Sequence, residues 1–75
     1  MKIIVNGENP FQLTSDKFAI NGANVSGYTL QYSVDGVFWS DAASVEANTQ
    51  AIILNSIEGM FYRLSGNTTD LTIIY

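Results

Sequence analysis

The sequence contains neither cysteine nor histidine among its 75 residues. Without cysteine the chain forms no disulfide and offers no thiolate to a metal ion. Without histidine it lacks the usual protein ligand of zinc, copper and non-haem iron, and the usual base of nucleophilic catalysis. We therefore expect no cofactor, no tightly bound transition metal and no enzyme activity.

Positive charge is scarce as well, because Lys2, Lys17 and Arg63 are the only cationic side chains and the net charge is −4. Nucleic-acid phosphates and anionic membranes are bound by clustered lysine and arginine, so we expect neither partner. No apolar run approaches the length of a transmembrane helix. The apolar segment at the start of the sequence is too short for a signal peptide. We expect a complete protein made in the cytoplasm.

The small size of the chain and its low charge together favour assembly. For a domain of this length, the free energy gained by apolar burial roughly equals the cost of ordering the chain. Charged residues make up 13% of the sequence and hydrophobic residues 47%, against about 25% charged in typical domains. With no disulfide and no metal to add stability, we expect a homo-oligomer, a trimer or a dimer, whose contacts cover apolar surface.

Turn dipeptides separate short β-branched and aromatic segments along the whole chain. Such spacing is typical of a single all-β domain over residues 1–75, a small antiparallel β-sandwich or squashed barrel of about six to seven short strands. We expect strands over 3–5, 18–20, 51–54, 60–65 and 71–75.

The segment 28–40 reads as a β-hairpin. Its first half alternates Tyr28, Leu30 and Tyr32 with polar residues, and the turn falls at Asp35-Gly36, where Gly36 supplies a positive φ. The aromatic run 37–39 is expected in the second half of this hairpin. The polar stretch 40–48 is expected to be a loop, with one helical turn as the alternative.

Asp35 and Asp41 flank this aromatic run and are the strongest candidates for paired carboxylates. A glycosidase needs two carboxyl groups about 5–9 Å apart, but Asp35 is already explained as a turn residue that binds its own backbone. A calcium loop would show a denser series of oxygen ligands. Two glycosylation sequons, 24–26 and 67–69, are expected to be unmodified because no secretion signal is found.

Two interpretations remain open for the aromatic residues. Tyr28, Tyr32, Phe38 and Trp39 either form a sugar-stacking platform or fill a core or a subunit contact, which is the commoner use. If Leu71, Ile73 and Tyr75 point inward, Ile74 points outward. Arg63 is either a solvent-facing strand residue or an interface anchor. The candidate interface residues are Phe38, Trp39, Phe61, Arg63 and Ile74.

The segments YTLQYSVDGVFWSDAAS and MFYRLSGNTTDLTIIY carry a resemblance that covers residues 28–75. Their shared features are a Ser-x-Asp-Gly-x-x-Trp hairpin at 33–39 and a Tyr-Arg-Leu-x-Gly-Asn pair of strands at 62–67. In these features the chain resembles small β-sandwich virion proteins of tailed bacteriophages, namely the head-decoration, auxiliary capsid and head-fibre proteins of crAss-like and related phages. The same hairpin also looks like part of discoidin-type carbohydrate-binding modules, which are about twice as long.

The phage resemblance implies a non-enzymatic structural protein that decorates or stabilises a capsid or forms a head fibre. Its partners would be copies of itself and a major capsid protein or other virion protein, and its location would be the virion. No catalytic residues carry over. The alternative is a small carbohydrate-binding module that uses the aromatic hairpin. Capsid and portal genes beside its gene would favour the first.

Overall fold

The computed structural model describes residues 1–22 and 26–75, and every regular element in these ranges is a β-strand. Eight strands are described: β1 Lys2–Asn6, β2 Phe11–Gln12, β3 Lys17–Asn21, β4 Tyr28–Ser33, β5 Ser40–Val45, β6 Ala51–Leu54, β7 Phe61–Ser65 and β8 Asp70–Ile74. In this part of the chain no helix is long and apolar enough to cross a membrane.

The strands form two four-stranded antiparallel sheets. Sheet I has the order β1-β8-β3-β6, and sheet II has the order β2-β7-β4-β5. Within the described residues, β4 and β5 are the one pair of consecutive strands that share a sheet, so every other connection crosses from one sheet to the other. This two-sheet architecture confirms the predicted all-β sandwich.

Alternation along the strands fills one inner layer. In β8, Leu71 and Ile73 are buried while Ile74 is exposed, as the sequence pattern predicts. In β4, Leu30 lies opposite Leu64 of β7, and both are fully buried. The hydrophobic core described consists of Val5, Phe11, Leu13, Phe18, Ile20, Tyr28, Leu30, Val45, Tyr62, Leu64, Leu71 and Ile73.

Three aromatic rings connect the two sheets. Phe18 of sheet I meets Tyr62 of sheet II with ring centroids 5.1 Å apart, and it meets Phe11 edge-on at 5.9 Å. Phe11 and Tyr62 stack at 5.9 Å. Aromatic pairs in these arrangements stabilise the fold by more than their buried area alone would give. The cluster therefore holds the two sheets together at β2, a strand of only two residues.

The predicted loop over 40–48 is wrong in its first half, because residues 40–45 form β5 and pair with β4. Five of the six β5 residues are exposed, since an edge strand can be held by backbone hydrogen bonds with little apolar burial. The predicted strand over 37–39 is also wrong. These residues belong to the loop between β4 and β5, so the hairpin is confirmed but its turn is longer than the Asp35-Gly36 dipeptide.

Two buried tyrosines of sheet II use their hydroxyl groups differently. Tyr62 accepts a hydrogen bond from the backbone amide of Ile57 at 3.2 Å. The Tyr28 hydroxyl is buried, with no partner among the described residues. Burial raises the pKa of Tyr28, which keeps this hydroxyl neutral. A buried polar group without a partner costs free energy, whereas a made hydrogen bond stabilises by about 1 kcal/mol.

We predict opposite outcomes when either hydroxyl is removed. Tyr28→Phe should leave the free energy of unfolding unchanged or raise it, because it deletes an unpartnered group at constant shape. Tyr62→Phe should lower it by about 1 kcal/mol, because the Ile57 amide loses its acceptor. Urea denaturation of both variants measures the difference, and equal destabilisation would contradict the assignment.

Candidate functional site

The loop 34–39 between β4 and β5 is organised by one carboxylate. Oδ1 of Asp35 accepts hydrogen bonds from the Ser33 hydroxyl at 2.9 Å and from the backbone amides of Val37 and Phe38 at 2.9 and 3.1 Å. The amide of Gly36 donates to the Ser33 hydroxyl oxygen at 2.8 Å. These side chains satisfy backbone amides that the strand ladder leaves without partners.

The hydrogen bonds also fix the charge of Asp35. The amide of Val37, then the amide of Phe38 and the Ser33 hydroxyl, lower the pKa of this carboxyl below its ordinary value. Each donor stabilises the ionised form. Asp35 therefore carries a negative charge at neutral pH while it holds the loop.

The outer face of sheet II supports the loop from below. Gly36, with a φ of +79°, lies over Phe61, and a Cβ added to it would sit 3.7 Å from the phenyl ring. The guanidinium carbon of Arg63 is 4.4 Å from the centre of the Trp39 ring, within cation–π range. Loop residues 36 and 39 thus rest on two side chains of β7.

Arg63 is held in place by a chain of hydrogen bonds across three strands. Its Nε donates to Oε1 of Gln31 at 2.7 Å, and Nε2 of Gln31 donates to Oδ1 of Asp41 at 2.8 Å. Gln31 is the direct cross-strand neighbour of both residues, so all three side chains share the outer face. The network orients the guanidinium that stacks on Trp39.

The supported loop presents three apolar side chains to solvent. Val34, Val37 and Phe38 are 81%, 69% and 82% exposed, and we call them the apolar tip. Single exposed apolar residues are ordinary on protein surfaces, but a cluster on an ordered loop is typical of an interaction site.

A second apolar surface lies on the outer face of sheet I. Ile74 is 44% exposed and pairs with Lys2 of β1 and Ala19 of β3, while Ile4 of β1 is 73% exposed. Lys17, two residues before Ala19, lies on the same face because side chains alternate along β3. Both lysines of the sequence therefore border this surface.

The five candidate interface residues do not form one site. Phe38 is exposed on the loop. Trp39 belongs to the same loop but is half-buried, and it rests on β7, whose half-buried Phe61 and Arg63 support the loop from below. Ile74 lies on the other sheet. Arg63 is thus in contact with the protein's own Trp39 and Gln31.

The structure also separates the four rings of the sugar-stacking hypothesis. Tyr28 lies in the core, and Tyr32 is 38% exposed on the inner side of β4. Arg63 stacks on Trp39, so Phe38 remains the most exposed ring of the four.

The two candidate carboxylates accept hydrogen bonds from different parts of the structure. Asp35 binds the loop backbone, and Asp41 accepts from Gln31. Over residues 1–22 and 26–75 no group of three or more acidic side chains is arranged to hold a metal ion. Of the two sequons, residues 24–25 lie outside the described residues, and Asn67 is buried with its amide donating to the carbonyls of Gly7 and Thr69.

Sequence reasoning missed Gln31, Val34 and Val37. The alternation of β4 places Gln31 on the outer face, but its partners depend on a register that the sequence does not show. Val34 and Val37 flank the Asp-Gly dipeptide, and apolar residues in a turn are a signal that could have marked the tip.

No protein-family model, no curated protein and no solved structure matches this chain.

We predict that Gly36→Ala destabilises the protein by about 1–2 kcal/mol, because alanine is strained in the left-handed region. The added Cβ would make ordinary contact with Phe61, so the loss comes from the backbone. Gly36→Asn is the matched control and should lose less, since asparagine tolerates positive φ. Thermal unfolding checks this, and an alanine variant as stable as the native protein would contradict it.

We predict that Asp35 contributes stability that acid removes. Its pKa is lowered in the folded state, so the contribution is complete above the unfolded value of about 3.9 and disappears as the pH falls through the folded value. Asp35→Asn keeps an acceptor oxygen but has no charge to titrate.

The thermal midpoints of native protein and Asp35→Asn should therefore differ at neutral pH and begin to converge only below about pH 4, as the pH falls through the lowered pKa of Asp35. Melting curves recorded across this range by circular dichroism provide the measurement. A constant difference between the two proteins would show that the ionised carboxylate does not stabilise the loop.

Proposed function

We propose that this protein is a non-enzymatic structural component of a phage virion. It assembles with itself as a trimer or dimer and docks on a major capsid protein or other virion protein, where it decorates or stabilises the capsid or forms a head fibre. The observation that carries the assembly is the display of apolar side chains on two separate surfaces of one small domain, the apolar tip and the outer face of sheet I.

The exposed residues argue for contacts that cover them. Burying a side chain such as Phe38 or Ile4 contributes about 1.5–3 kcal/mol. For a 75-residue domain with no disulfide, such increments are comparable with the stability that its own core supplies.

The order of the loop supports a binding role. A loop that is already fixed by Asp35, Gly36 and the Arg63–Trp39 stack loses little conformational entropy when it docks. A flexible loop with the same three apolar side chains would lose more.

The virion assignment rests on the resemblance over residues 28–75. Its hairpin motif consists of Ser33, Asp35, Gly36 and Trp39, and each of these has a contact that shapes the loop. The motif therefore fixes the conformation of an exposed loop. A virion component that docks on neighbouring proteins would use such a loop as its contact surface. The carbohydrate-binding alternative has less support, because the four rings do not form one stacking platform.

Sedimentation equilibrium at micromolar concentration tests the assembly. The expected mass is two or three times the 8.2 kDa of the chain. The fraction of the oligomer should fall when the protein is diluted. A folded monomer at all concentrations would contradict self-association.

The virion assignment has its own test. Capsid and portal genes should neighbour the gene, and mass spectrometry of purified particles should find the protein in many copies. A gene set among carbohydrate-active enzymes, together with binding of the purified protein to immobilised glycans, would overturn the assignment in favour of the carbohydrate-binding module.

A further inference from the structure

We infer that self-association is head-to-tail, with the apolar tip of one copy seated in a hollow on sheet I of the next copy. The inference rests on the self-association proposed above and specifies which surfaces meet. It is carried by three observations: the volume and lining of the hollow, the exposure of the tip, and the placement of the charges.

The hollow lies where β3 and β8 run side by side. Its volume is about 210 Å³, and it is lined by Ser15, Lys17, Phe18, Ala19, Ile74 and Tyr75. An apolar cavity of about 150 Å³ binds benzene in an engineered protein. The hollow is therefore large enough for the ring of Phe38.

The tip offers an exposed aromatic ring. Phe38 is 82% exposed, and its backbone amide is held by Asp35. Val34 and Val37 extend the apolar surface on the same loop and would cover the rim of the hollow, including the exposed part of Ile74. An aromatic side chain in a pocket, surrounded by smaller apolar contacts, is the usual form of a binding hot spot.

The charges favour this pairing over a symmetric one. Lys17 lines the hollow and Lys2 pairs with Ile74 beside it, whereas Asp35 lies next to Phe38 on the tip. Arg63 is occupied within its own chain by Gln31 and Trp39. A tip-to-tip contact would place acidic groups against each other, and a hollow-to-hollow contact would place lysines together, both of which are unfavourable.

A larger cavity of about 330 Å³ lies between sheets I and II and is lined in part by Leu30, Tyr32, Ala42, Ile57 and Met60. Among the described residues that line it there is no lysine or arginine. The charged residues nearest to it along the chain are Asp41, next to Ala42, and Glu58, next to Ile57. The apolar tip, with Asp35 beside it, is therefore better matched in charge to the hollow on sheet I.

A head-to-tail contact has a structural consequence. It leaves a free tip at one end and a free hollow at the other, so successive copies close into a ring or continue as a filament. A three-membered ring would agree with the proposed trimer.

The experiment uses two variants that each lose one side of the contact. Phe38→Ser removes the tip, and Ile74→Glu places an acid in the hollow, where it repels Asp35. Both positions are exposed in the isolated chain, so the fold should persist, which circular dichroism and thermal melting verify. Each variant alone should associate about tenfold or more weakly than the native protein.

An equimolar mixture of the two variants should form 1:1 dimers and nothing larger. The intact tip of Ile74→Glu binds the intact hollow of Phe38→Ser, and no second complementary pair remains. Ile57→Ser is the matched control, because it removes an exposed apolar residue from the larger cavity and should assemble like the native protein.

The outcomes separate this inference from the proposed function. A native protein that is monomeric would overturn both the head-to-tail contact and the proposed self-association, while the virion assignment would still depend on its own test. A native oligomer whose mixed variants stay monomeric, or whose assembly is lost in Ile57→Ser, would overturn the head-to-tail contact and leave self-association standing.

Discussion

The space between two small sheets is the constraint on which the rest of the structure depends. Stacked sheets lie about 10 Å apart, so they enclose one layer of inward-facing side chains. The described core residues of this layer come from both sheets, and the Phe11–Phe18–Tyr62 cluster joins them. Apolar residues beyond this layer must lie outside, and the sequence has several.

Five of the eight exposed large hydrophobic residues described lie on two surfaces, the apolar tip and the outer face of sheet I. Three lie on the 34–39 loop, where Asp35 replaces the missing strand ladder with hydrogen bonds to Ser33, Val37 and Phe38. Beneath the loop, β7 supplies Phe61 and Arg63 as supports. A polar network therefore holds these apolar groups in water, and this preorganisation reduces the conformational entropy that the loop would lose on binding.

Local patterns in the sequence were enough to predict the fold class and several strands. The alternation in β4 and β8 indicated that Leu30 shares a face with Tyr28, and that Leu71 and Ile73 lie on the face opposite Ile74, and Asp35-Gly36 marked the one hairpin of the described residues. The same reasoning failed for β5, because an exposed edge strand carries no apolar alternation, and for β2, because two residues are too few to show a pattern.

The site could be predicted in part only. The sequence named Phe38, Trp39, Phe61 and Arg63 as candidate interface residues without placing them around one loop. Their division into exposed and supporting residues depends on how β4 pairs with β7. Two further strands, β5 and β6, lie between β4 and β7 along the chain. The register of such a non-local pair is set by the tertiary structure and cannot be derived from either strand alone. The difference in charge between the tip and the hollow also becomes apparent only once the strands are assigned to the two sheets.

The central claim is that the apolar tip is ordered before anything binds it. Amide hydrogen exchange of Val37 and Phe38, recorded on dilute monomeric protein, tests this most directly, because both amides donate to Asp35. Exchange should be slower than in an unstructured peptide, and the protection should be lost in Asp35→Ala. Exchange of these two amides at the unstructured rate in the native protein would contradict the account.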